Sequence, residues 1–516
     1  MWSSFKFGLA VSFLLPYALL PGYGYVPKTG LIARQKENNG SDNFLFDYPG
    51  QTKLPSLEDL IRLNSTNGTF LPVDDIQGDI LIGMKKPKQL FFFYQINDAP
   101  MFKAVLRRLI YPFITSTSQL ICTTCPPIKV MLNVAWNAPG LKKLNVFDDL
   151  LDPHFNLGQV ADADALGDVP GRKTWVPPLA ANKTHGVFLI ASDDDAAILA
   201  LLNQITTWLG TSITEIYRLS GAHRTGAMEG HEHFGFLDGI SQPAVAGFAT
   251  SVMPGQSLIF PGTILTNVLG DPNLGARPGW TKHGSFLAFR QLQQFVPEFD
   301  QYLLNNALND PSASLTVAQG AELLGARMVG RWKSGAPIDL HPLVDNPAVG
   351  ADPNQNNNFD FNHPLPFNIN TDQKRCPWSA HIRKTNPRAD QPSLGNHIMR
   401  AGIPYGRDTT KAEFKANKTR TERGLAFVSY QSVIDNGYRF QQKAWANDIN
   451  FVPGKSDPTP GHDPIFGQNG GSTRFSSGLD PWNPAKDFKL KDFVVSRGGE
   501  YFFSPSMSAI LNPIAL

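Results

Sequence analysis

The chain has 516 residues, of which 42% are hydrophobic and 17% are charged. That length favours about two domains, each able to bury its own core. The net charge is only +2, which argues against a nucleic-acid partner. The 45 glycines and 41 prolines favour long ordered loops over a helical bundle.

The first 24 residues have the pattern of a secretory signal peptide. Lys6 supplies a positive charge, residues 7–20 form an apolar run, and the small residues Gly22 and Gly24 follow. The apolar run is short for a membrane span, and no later segment of the sequence is long and apolar enough, so we expect no membrane partner. Residues 25–70 are polar, and we expect a propeptide or disordered leader there.

Sequons and cysteines also favour secretion. Five sequons begin at Asn39, Asn64, Asn67, Asn182 and Asn417. Together with a signal peptide they predict an extracellular glycoprotein. Of the three cysteines, Cys122 and Cys125 suit a local disulfide in an oxidising compartment, since no second Cys-x-x-Cys completes a zinc site. Cys376 is left over, and we expect it to be buried and inert.

Apolar runs and helical spacing predict the elements of a first domain over residues 71–246. The predicted strands are 90–96, 130–136, 186–191 and 213–219, and the predicted helices are 102–120 and 195–209. The order strand, helix, strand, strand, helix, strand is typical of the split βαβ arrangement of ferredoxin-like domains.

A Gly- and Pro-rich connection over residues 247–279 opens a second domain, residues 247–516. Its predicted strands are 285–292, 424–431 and 501–503, its predicted helices are 295–307, 316–329 and 432–446, and residues 340–375 are expected to be a long ordered loop. We therefore predict an α+β fold with two domains, each with an antiparallel sheet and packed helices.

The segment GHEHFGFLDGISQP, residues 230–243, holds one carboxylate, Asp238, between glycines and apolar residues. A carboxylate in such a place is either a hydrogen-bonded turn residue or a proton carrier. His231 and His233 could form a metal pair, but no third ligand is evident.

The segment CPWSAHIRKTNPR, residues 376–388, contains His381, the best candidate for a metal-binding histidine. Such a ligand needs a neutral imidazole in a dry pocket, with its other nitrogen hydrogen-bonded. In an extended chain, His381 and Arg383 would point to one face. The alternative is a core histidine beside a surface arginine.

Two further candidates follow in the sequence. Arg400 precedes a Gly-Ile-Pro-Tyr-Gly turn, where by itself it would be a loop arginine in a salt bridge. Leu425 and Phe427 alternate along a predicted strand, as core residues would.

Six segments, in this order, resemble the dye-decolourising peroxidases, which are haem enzymes that use hydrogen peroxide: DIQGDIL, GFLDGISQP, ARMVGRWKSGAP, AHIRKTNPR, RAGIPYG and GLAFVSYQS. The resemblance covers the chain from Asp75 to Ile510, and Gly235-x-x-Asp238-Gly239 matches the family's GxxDG signature. Length, long loops and the secretion signal are most similar to the fungal members. The resemblance implies two ferredoxin-like domains, with haem held mainly by the C-terminal one.

The resemblance also implies the chemistry. One haem b per chain would have His381 as its axial ligand, Asp238 would move a proton between the two peroxide oxygens, and Arg400 would stabilise charge as the O–O bond breaks. Further haem contacts would be Arg383, Leu425 and Phe427. Substrates would be hydrogen peroxide with anthraquinone-type dyes and phenols, the pH optimum acidic, and the protein a monomer or weak dimer.

Bulky dyes would need a surface electron relay. Tyr405 and Trp445 match positions where family members carry or could carry one, and the alternative for each is a packed aromatic. Two other functions are weighed. A secreted haem-binding or iron-scavenging protein would keep His381 but have little need of Asp238 and Arg400 together. A hydrolase would use Asp238 with His231 or His233, but no Gly-x-Ser-x-Gly elbow supports it.

Overall fold

The computed structural model describes residues 54–67 and 71–516. The predicted signal peptide, most of the predicted leader and the sequon at Asn39 lie outside these ranges. Within the part of the chain that is described, every helix is too short or too polar to cross a bilayer.

The described residues form thirteen strands. They are β1 (Lys88–Ile96), β2 (Val130–Trp136), β3 (Gly186–Ser192), β4 (Ile213–Ala222), β5 (Ala244–Val245), β6 (Leu258–Ile259), β7 (Ser285–Gln294), β8 (Met399–Arg400), β9 (Ile403–Gly406), β10 (Arg423–Gln431), β11 (Arg474–Ser476), β12 (Phe488–Leu490) and β13 (Val494–Ser504).

The same residues form sixteen α-helices, many of them only one turn long. They are α1 (Leu57–Asn67), α2 (Gly78–Ile82), α3 (Ala99–Val105), α4 (Thr117–Ile121), α5 (Ala138–Lys143), α6 (Pro153–Leu157), α7 (Gln159–Asp162), α8 (Pro177–Ala180), α9 (Asp195–Leu209), α10 (Val296–Asn305), α11 (Val317–Val329), α12 (Pro347–Ala351), α13 (His381–Thr385), α14 (Lys411–Ala416), α15 (Tyr438–Phe440) and α16 (Met507–Ala509). Three segments have π-helical hydrogen bonding: Leu106–Ile110, Gln441–Ala446 and Ile510–Ile514.

Nine of the strands form one antiparallel sheet that closes on itself. Its order is β7-β13-β2-β3-β1-β4-β9-β10-β8, and β10 also pairs with β7. The first half of the chain supplies β4-β1-β3-β2, and the second half supplies β13-β7-β10-β9. If β8 and β9 count as one broken strand, both halves have the order fourth, first, third, second, which is the ferredoxin-like order. The prediction of two ferredoxin-like units is confirmed, while the boundary at residue 246 stays a prediction.

Both faces of the sheet are buried, which explains the continuous apolar runs in the sequence. In β1, Phe91 and Phe93 join one buried cluster, whereas Leu90, Phe92 and Tyr94 join another. The second cluster includes residues of α3 and α9. A third cluster packs α10 and α11 against the loops that follow them.

Two helix predictions are wrong in part. The predicted helix 102–120 is broken, because Ile114 pairs with Leu132 and Ser116 pairs with Gln77 in short β-bridges. Ser116 then starts a new helix, α4, through a capping box. The predicted helix 432–446 begins only at Tyr438, in α15.

The cysteines behave as predicted. Cys122 and Cys125 form a disulfide. Cys376 is a free thiol that is fully buried, and burial raises its pKa to about 12.

The buried side chain of Gln77 joins two strands whose direct pairing is sparse. Strands β2 and β13 pair only at Trp136 and Phe503. Beside that pair, the amide of Gln77 donates to the carbonyls of Val134 (3.0 Å) and Pro505 (2.7 Å) and accepts from the peptide N–H of Val134 (2.8 Å). Gln77 therefore closes the barrel where its two halves meet.

We predict that Gln77→Leu lowers the free energy of unfolding by about 3 kcal/mol, since buried peptide groups lose their partners and each costs roughly 1–3 kcal/mol. Urea unfolding followed by circular dichroism measures the change. The control is Gln204→Leu, on the exposed face of α9, which should change stability by less than about 0.5 kcal/mol. Equal losses in the two variants would contradict the role of Gln77 in closing the barrel.

Candidate active site

A cavity of about 300 Å³ lies among the loop 232–242, strands β7, β8, β10 and β13, and helix α13, within the range of small-molecule sites. Most of its lining comes from the second half of the chain. Five predicted site residues line it: His381, Asp238, Arg400, Leu425 and Phe427. Arg383, Tyr405 and Trp445 lie outside its lining.

His381 begins α13, and its imidazole is oriented by a buried carboxylate. Nδ1 lies 2.8 Å from Oδ2 of Asp463, whose side chain is fully buried. The other carboxylate oxygen of Asp463 accepts the peptide N–H groups of Ile465 (2.8 Å) and Phe466 (3.1 Å). The ring of Phe466 meets the imidazole edge-on at 5.1 Å. Because Nδ1 is held by Asp463, Nε2 is the nitrogen of His381 that could bind a metal, an arrangement found in metal-bound histidines generally.

Arg383 does not share a face with His381, so that prediction is wrong. The segment is helical rather than extended, and positions two residues apart on a helix point in different directions. The guanidinium of Arg383 is buried in a bidentate ion pair with Asp390 (2.7 and 2.8 Å) and also donates to the carbonyl of Cys376. These contacts anchor α13 to Asp390 and Cys376, which lie outside the cavity lining.

Asp238 is both a turn residue and a cavity-lining carboxylate, so its two interpretations are compatible. Its Oδ1 accepts the peptide N–H of Gly239 at 2.6 Å, and the turn requires a positive φ of 81° at that glycine. The same oxygen lies 3.3 Å from Nη1 of Arg400. The side chain of Asp238 remains 42% exposed, so it is open to a small molecule in the cavity.

Arg400 is held to the same loop by three hydrogen bonds. Its Nη2 donates to the carbonyl of Ile240 (2.6 Å). Its peptide N–H donates to Oε1 of Gln242 (3.1 Å), and its carbonyl accepts from Nε2 of Gln242 (2.5 Å). The guanidinium therefore has a fixed position beside Asp238.

Leu425 and Phe427 lie on the cavity side of β10, and their contact with haem stays a prediction. They are partly exposed and line the cavity, while the alternate residues Ala426 and Val428 are fully buried in the barrel core. The two-residue period of the strand produces this division.

A cationic corner of the cavity is formed by Arg331, Arg388 and His397. Burial, together with the charges of Arg388 and Arg400, lowers the pKa of Arg331 to about 9. Burial lowers the pKa of Arg388 to about 10, so both guanidinium groups remain charged at neutral pH.

The third member of this corner is neutral. Burial, and then the charge of Arg388, lower the pKa of His397 to about 4. Its Nε2 is buried and has no hydrogen-bond partner among the described residues. The corner therefore offers two cations and one unpaired polar atom to an anionic group.

A smaller cavity, of about 170 Å³, adjoins the first. The two share Glu232, Asp238, Gly239, Gln242, Arg400 and Gly402 in their linings. The smaller one also touches Lys85, Lys86 and His223. It reaches the Asp238–Arg400 pair from a second side.

The histidines near Asp238 are committed to other contacts. Nδ1 of His231 lies 2.9 Å from the carbonyl of Glu229, and Nε2 of His233 lies 2.8 Å from the carbonyl of Tyr405. Across residues 54–67 and 71–516, no cluster of His, Cys, Asp and Glu side chains could hold a metal ion. A hydrolytic pair with Asp238 and a His231–His233 metal site are both without support.

Tyr405 and Trp445 are buried, with exposed fractions of 4% and 2%. They are packed aromatics and not surface residues, which corrects that part of the prediction.

Comparison with known proteins identifies the family of the chain. Residues 75–225 match the DyP dimeric alpha+beta barrel domain, and residues 325–450 match the Dyp-type peroxidase C-terminal domain. A dye-decolorizing peroxidase of Mycena epipterygia is 50% identical over 496 residues, covering 92% of this chain and 93% of the relative. The chain belongs to the DyP-type peroxidase family.

Further comparisons give the same family for this DyP-type peroxidase. The dye-decolorizing peroxidase AauDyP1 of Auricularia auricula-judae is 50% identical over 451 residues, covering 86% of this chain and 87% of the relative. The crystal structure of AauDyP complexed with imidazole superposes with a TM-score of 0.83 at 49% identity, covering 86% of this chain and all of that one. The predicted family, fold and enzyme class are confirmed.

DyP-type peroxidases are haem-dependent, and the cavity fits such a group. His381 supplies an oriented imidazole, Leu425 and Phe427 supply apolar walls, and the cationic corner suits carboxylate groups such as haem propionates. The unpaired Nε2 of His397 is an atom that such a carboxylate would satisfy.

Four residues of this site were not assigned from the sequence. Arg331, Arg388 and His397 lie inside or beside the segments quoted for the resemblance. Two arginines and a histidine in those segments could have indicated a site for an anionic group. Asp463 lies 82 positions from His381, and no local pattern links the two.

We predict that Asp463→Asn weakens haem affinity by about 10–100-fold, because a ligand histidine loses its charged orienting partner. Titration of the haem-free protein, followed by the Soret band, measures the affinity. Asp480→Asn is a matched control, since Asp480 likewise accepts two peptide N–H groups, of Trp482 and Asn483, but lies outside the cavity lining. An equal loss of haem affinity in the control would mean that the hydrogen bonds to the peptide N–H groups explain the effect, and not the contact with His381.

Proposed function

We propose that this DyP-type peroxidase is secreted and uses hydrogen peroxide to oxidise anthraquinone-type dyes and phenols in one-electron steps, with one haem b in the cavity, where His381 would bind its iron. The observation that carries the proposal is that one cavity receives both the Asp463-oriented imidazole of His381 and the Asp238–Arg400 pair. Bound haem supplies the redox-active iron at which peroxide is cleaved.

Asp238 acts as the acid–base group. Its carboxylate takes a proton from one oxygen of hydrogen peroxide and returns it to the other. The hydrogen bond from Gly239 to Oδ1 fixes the carboxylate while leaving Oδ2 available for this transfer. A carboxyl group carries protons best in acid, so we expect an acidic optimum.

Arg400 stabilises the negative charge that develops on the outer oxygen as the O–O bond breaks. The hydrogen bond from Nη2 to the carbonyl of Ile240 holds the guanidinium before peroxide arrives, and the two hydrogen bonds with Gln242 hold the backbone of Arg400, so little reorganisation accompanies the reaction. An iron scavenger with little turnover would not need a paired base and cation at this position.

Secretion is supported by surface features. The disulfide Cys122–Cys125 suits an oxidising compartment. The sequon asparagines Asn182 and Asn417 are exposed, so both can carry a glycan. We propose that the secreted protein is a monomer or weak dimer.

We expect Asp238→Asn to slow peroxide cleavage by about 10²–10⁴-fold and Arg400→Leu by about 10²–10³-fold. Haem should stay bound in both variants, because neither residue is its ligand. Stopped-flow absorbance after mixing with peroxide gives the rate, and peroxide-dependent bleaching of an anthraquinone dye gives turnover. If Arg400→Leu changes only the KM for dye, Arg400 contacts the dye instead.

Bulky dyes would be oxidised at the protein surface, so electrons must travel between the surface and the cavity. We propose Tyr405 and Trp445 as buried relays on such a path. The hydroxyl of Tyr405 donates to the carboxylate of Glu422 (2.9 Å), which could receive the phenolic proton when an electron leaves. Trp445 lies in the π-helical segment whose Gln441 and Gln442 line the cavity, and its ring stacks on Phe451 at 5.2 Å.

The double variant Tyr405→Phe/Trp445→Phe should lower kcat/KM for a bulky anthraquinone dye while sparing a small phenol, because phenylalanine is much harder to oxidise. It should also remove a protein-radical signal in electron paramagnetic resonance spectra after peroxide is added. Trp208→Phe, in α9 of the first half, is the control for loss of an indole. Bleaching at the parental rate would leave both residues as packing aromatics.

A further inference from the structure

Helix α1 and the three residues that lead into it precede the family domain, which begins at residue 75, yet they pack against the barrel. Leu60 is only 1% exposed and belongs to the same buried cluster as Ile80 and Leu81 of α2. Leu54 and Leu57 pack against this cluster as well. The leader segment, defined as residues 54–67, is therefore docked by burial of apolar side chains.

Polar contacts fix the start and direction of α1. The hydroxyl of Ser56 accepts the peptide N–H of Asp59 at 3.0 Å, as an N-cap does. The carboxylate of Glu58 accepts the hydroxyl of Thr123 at 3.1 Å. Thr123 lies within the loop closed by the disulfide of Cys122 and Cys125, so α1 is hydrogen-bonded to a covalently closed loop.

The docked segment reaches the smaller cavity. Leu54 and Pro55 form part of its wall, together with Asp238 and Arg400. Two apolar residues from outside the family domain thus lie along the approach to the pair that would act on peroxide.

We propose that the leader segment is autoinhibitory: while docked, Leu54 and Pro55 restrict the access of hydrogen peroxide to Asp238 and Arg400, and release of the segment opens the path. This inference rests on the proposed function. It also gives a physical role to the prediction that residues 25–70 form a propeptide, since removal of the segment would remove one wall of the cavity.

The size of the effect follows from the population of the open state. A docked segment held by a few kcal/mol is open for roughly 0.1–10% of the time, and the apparent rate of ligand binding falls by that fraction. Release of the segment should therefore raise the binding rate by about tenfold or more.

The test uses the haem-loaded protein that retains residues 54–67, and cyanide as a small probe of the ferric iron. Leu60→Asp puts a charge into the buried contact and should release the helix, which limited trypsin cleavage after Arg62 reports. Ile61→Asp is the matched control, since Ile61 is 57% exposed on the same helix. We expect stopped-flow cyanide binding to be about tenfold faster or more in Leu60→Asp and unchanged in Ile61→Asp.

A released helix with an unchanged cyanide rate overturns the proposal. If Leu60→Asp fails to fold or to bind haem, the double variant Leu54→Gly/Pro55→Gly decides, because it removes the cavity wall and leaves Leu60 in place. It too should bind cyanide faster, and an unchanged rate overturns the proposal. Absence of a Soret band in the unaltered protein would instead contradict the proposed function itself.

Discussion

Strand β10 pairs with β7 along one edge and with β8 and β9 along the other, and the site depends on this pairing. Its alternating side chains fill the barrel on one face and wall the cavity on the other. The pairing of Ser429 with Arg400 fixes the backbone of the arginine at the edge of the cavity. A barrel that failed to close would therefore lose both its core and the geometry of its cavity.

Two carboxylates of the site differ in their surroundings, and the difference matches their proposed tasks. Asp463 is fully buried, with both oxygens hydrogen-bonded, so its carboxylate has a fixed position and orients His381. Asp238 is 42% exposed and keeps one oxygen open to the cavity. A positioning group benefits from burial and satisfied hydrogen bonds, whereas a group that exchanges protons with a substrate must be reachable.

The sequence predicted best those features that depend on neighbouring residues. Strand β2 and helix α9 have the predicted bounds, because a long apolar run and a capped amphipathic stretch are local patterns. Strand β8 has only two residues, too few for a period to be detected, although it carries Arg400. The prediction for Arg383 failed because the local sequence did not distinguish a one-turn helix from an extended segment.

The other surprises came from contacts between distant parts of the chain. The partner of His381 is Asp463, in a separate loop, and no spacing rule could find it. Tyr405 and Trp445 were expected at the surface, but burial depends on how β9 and the π-helical segment pack, which is a tertiary property. The resemblance singled out Asp238, His381 and Arg400, yet only the folded chain shows that they line one cavity and what holds each of them.

The state of the three cysteines bears on the durability of an enzyme that handles peroxide. Oxidation of a cysteine by peroxide begins from the thiolate. Cys122 and Cys125 are already joined, and burial keeps Cys376 protonated, with its pKa near 12. The protein thus offers its own oxidant almost no thiolate, which disfavours sulfenic acid formation as a route of self-inactivation during turnover.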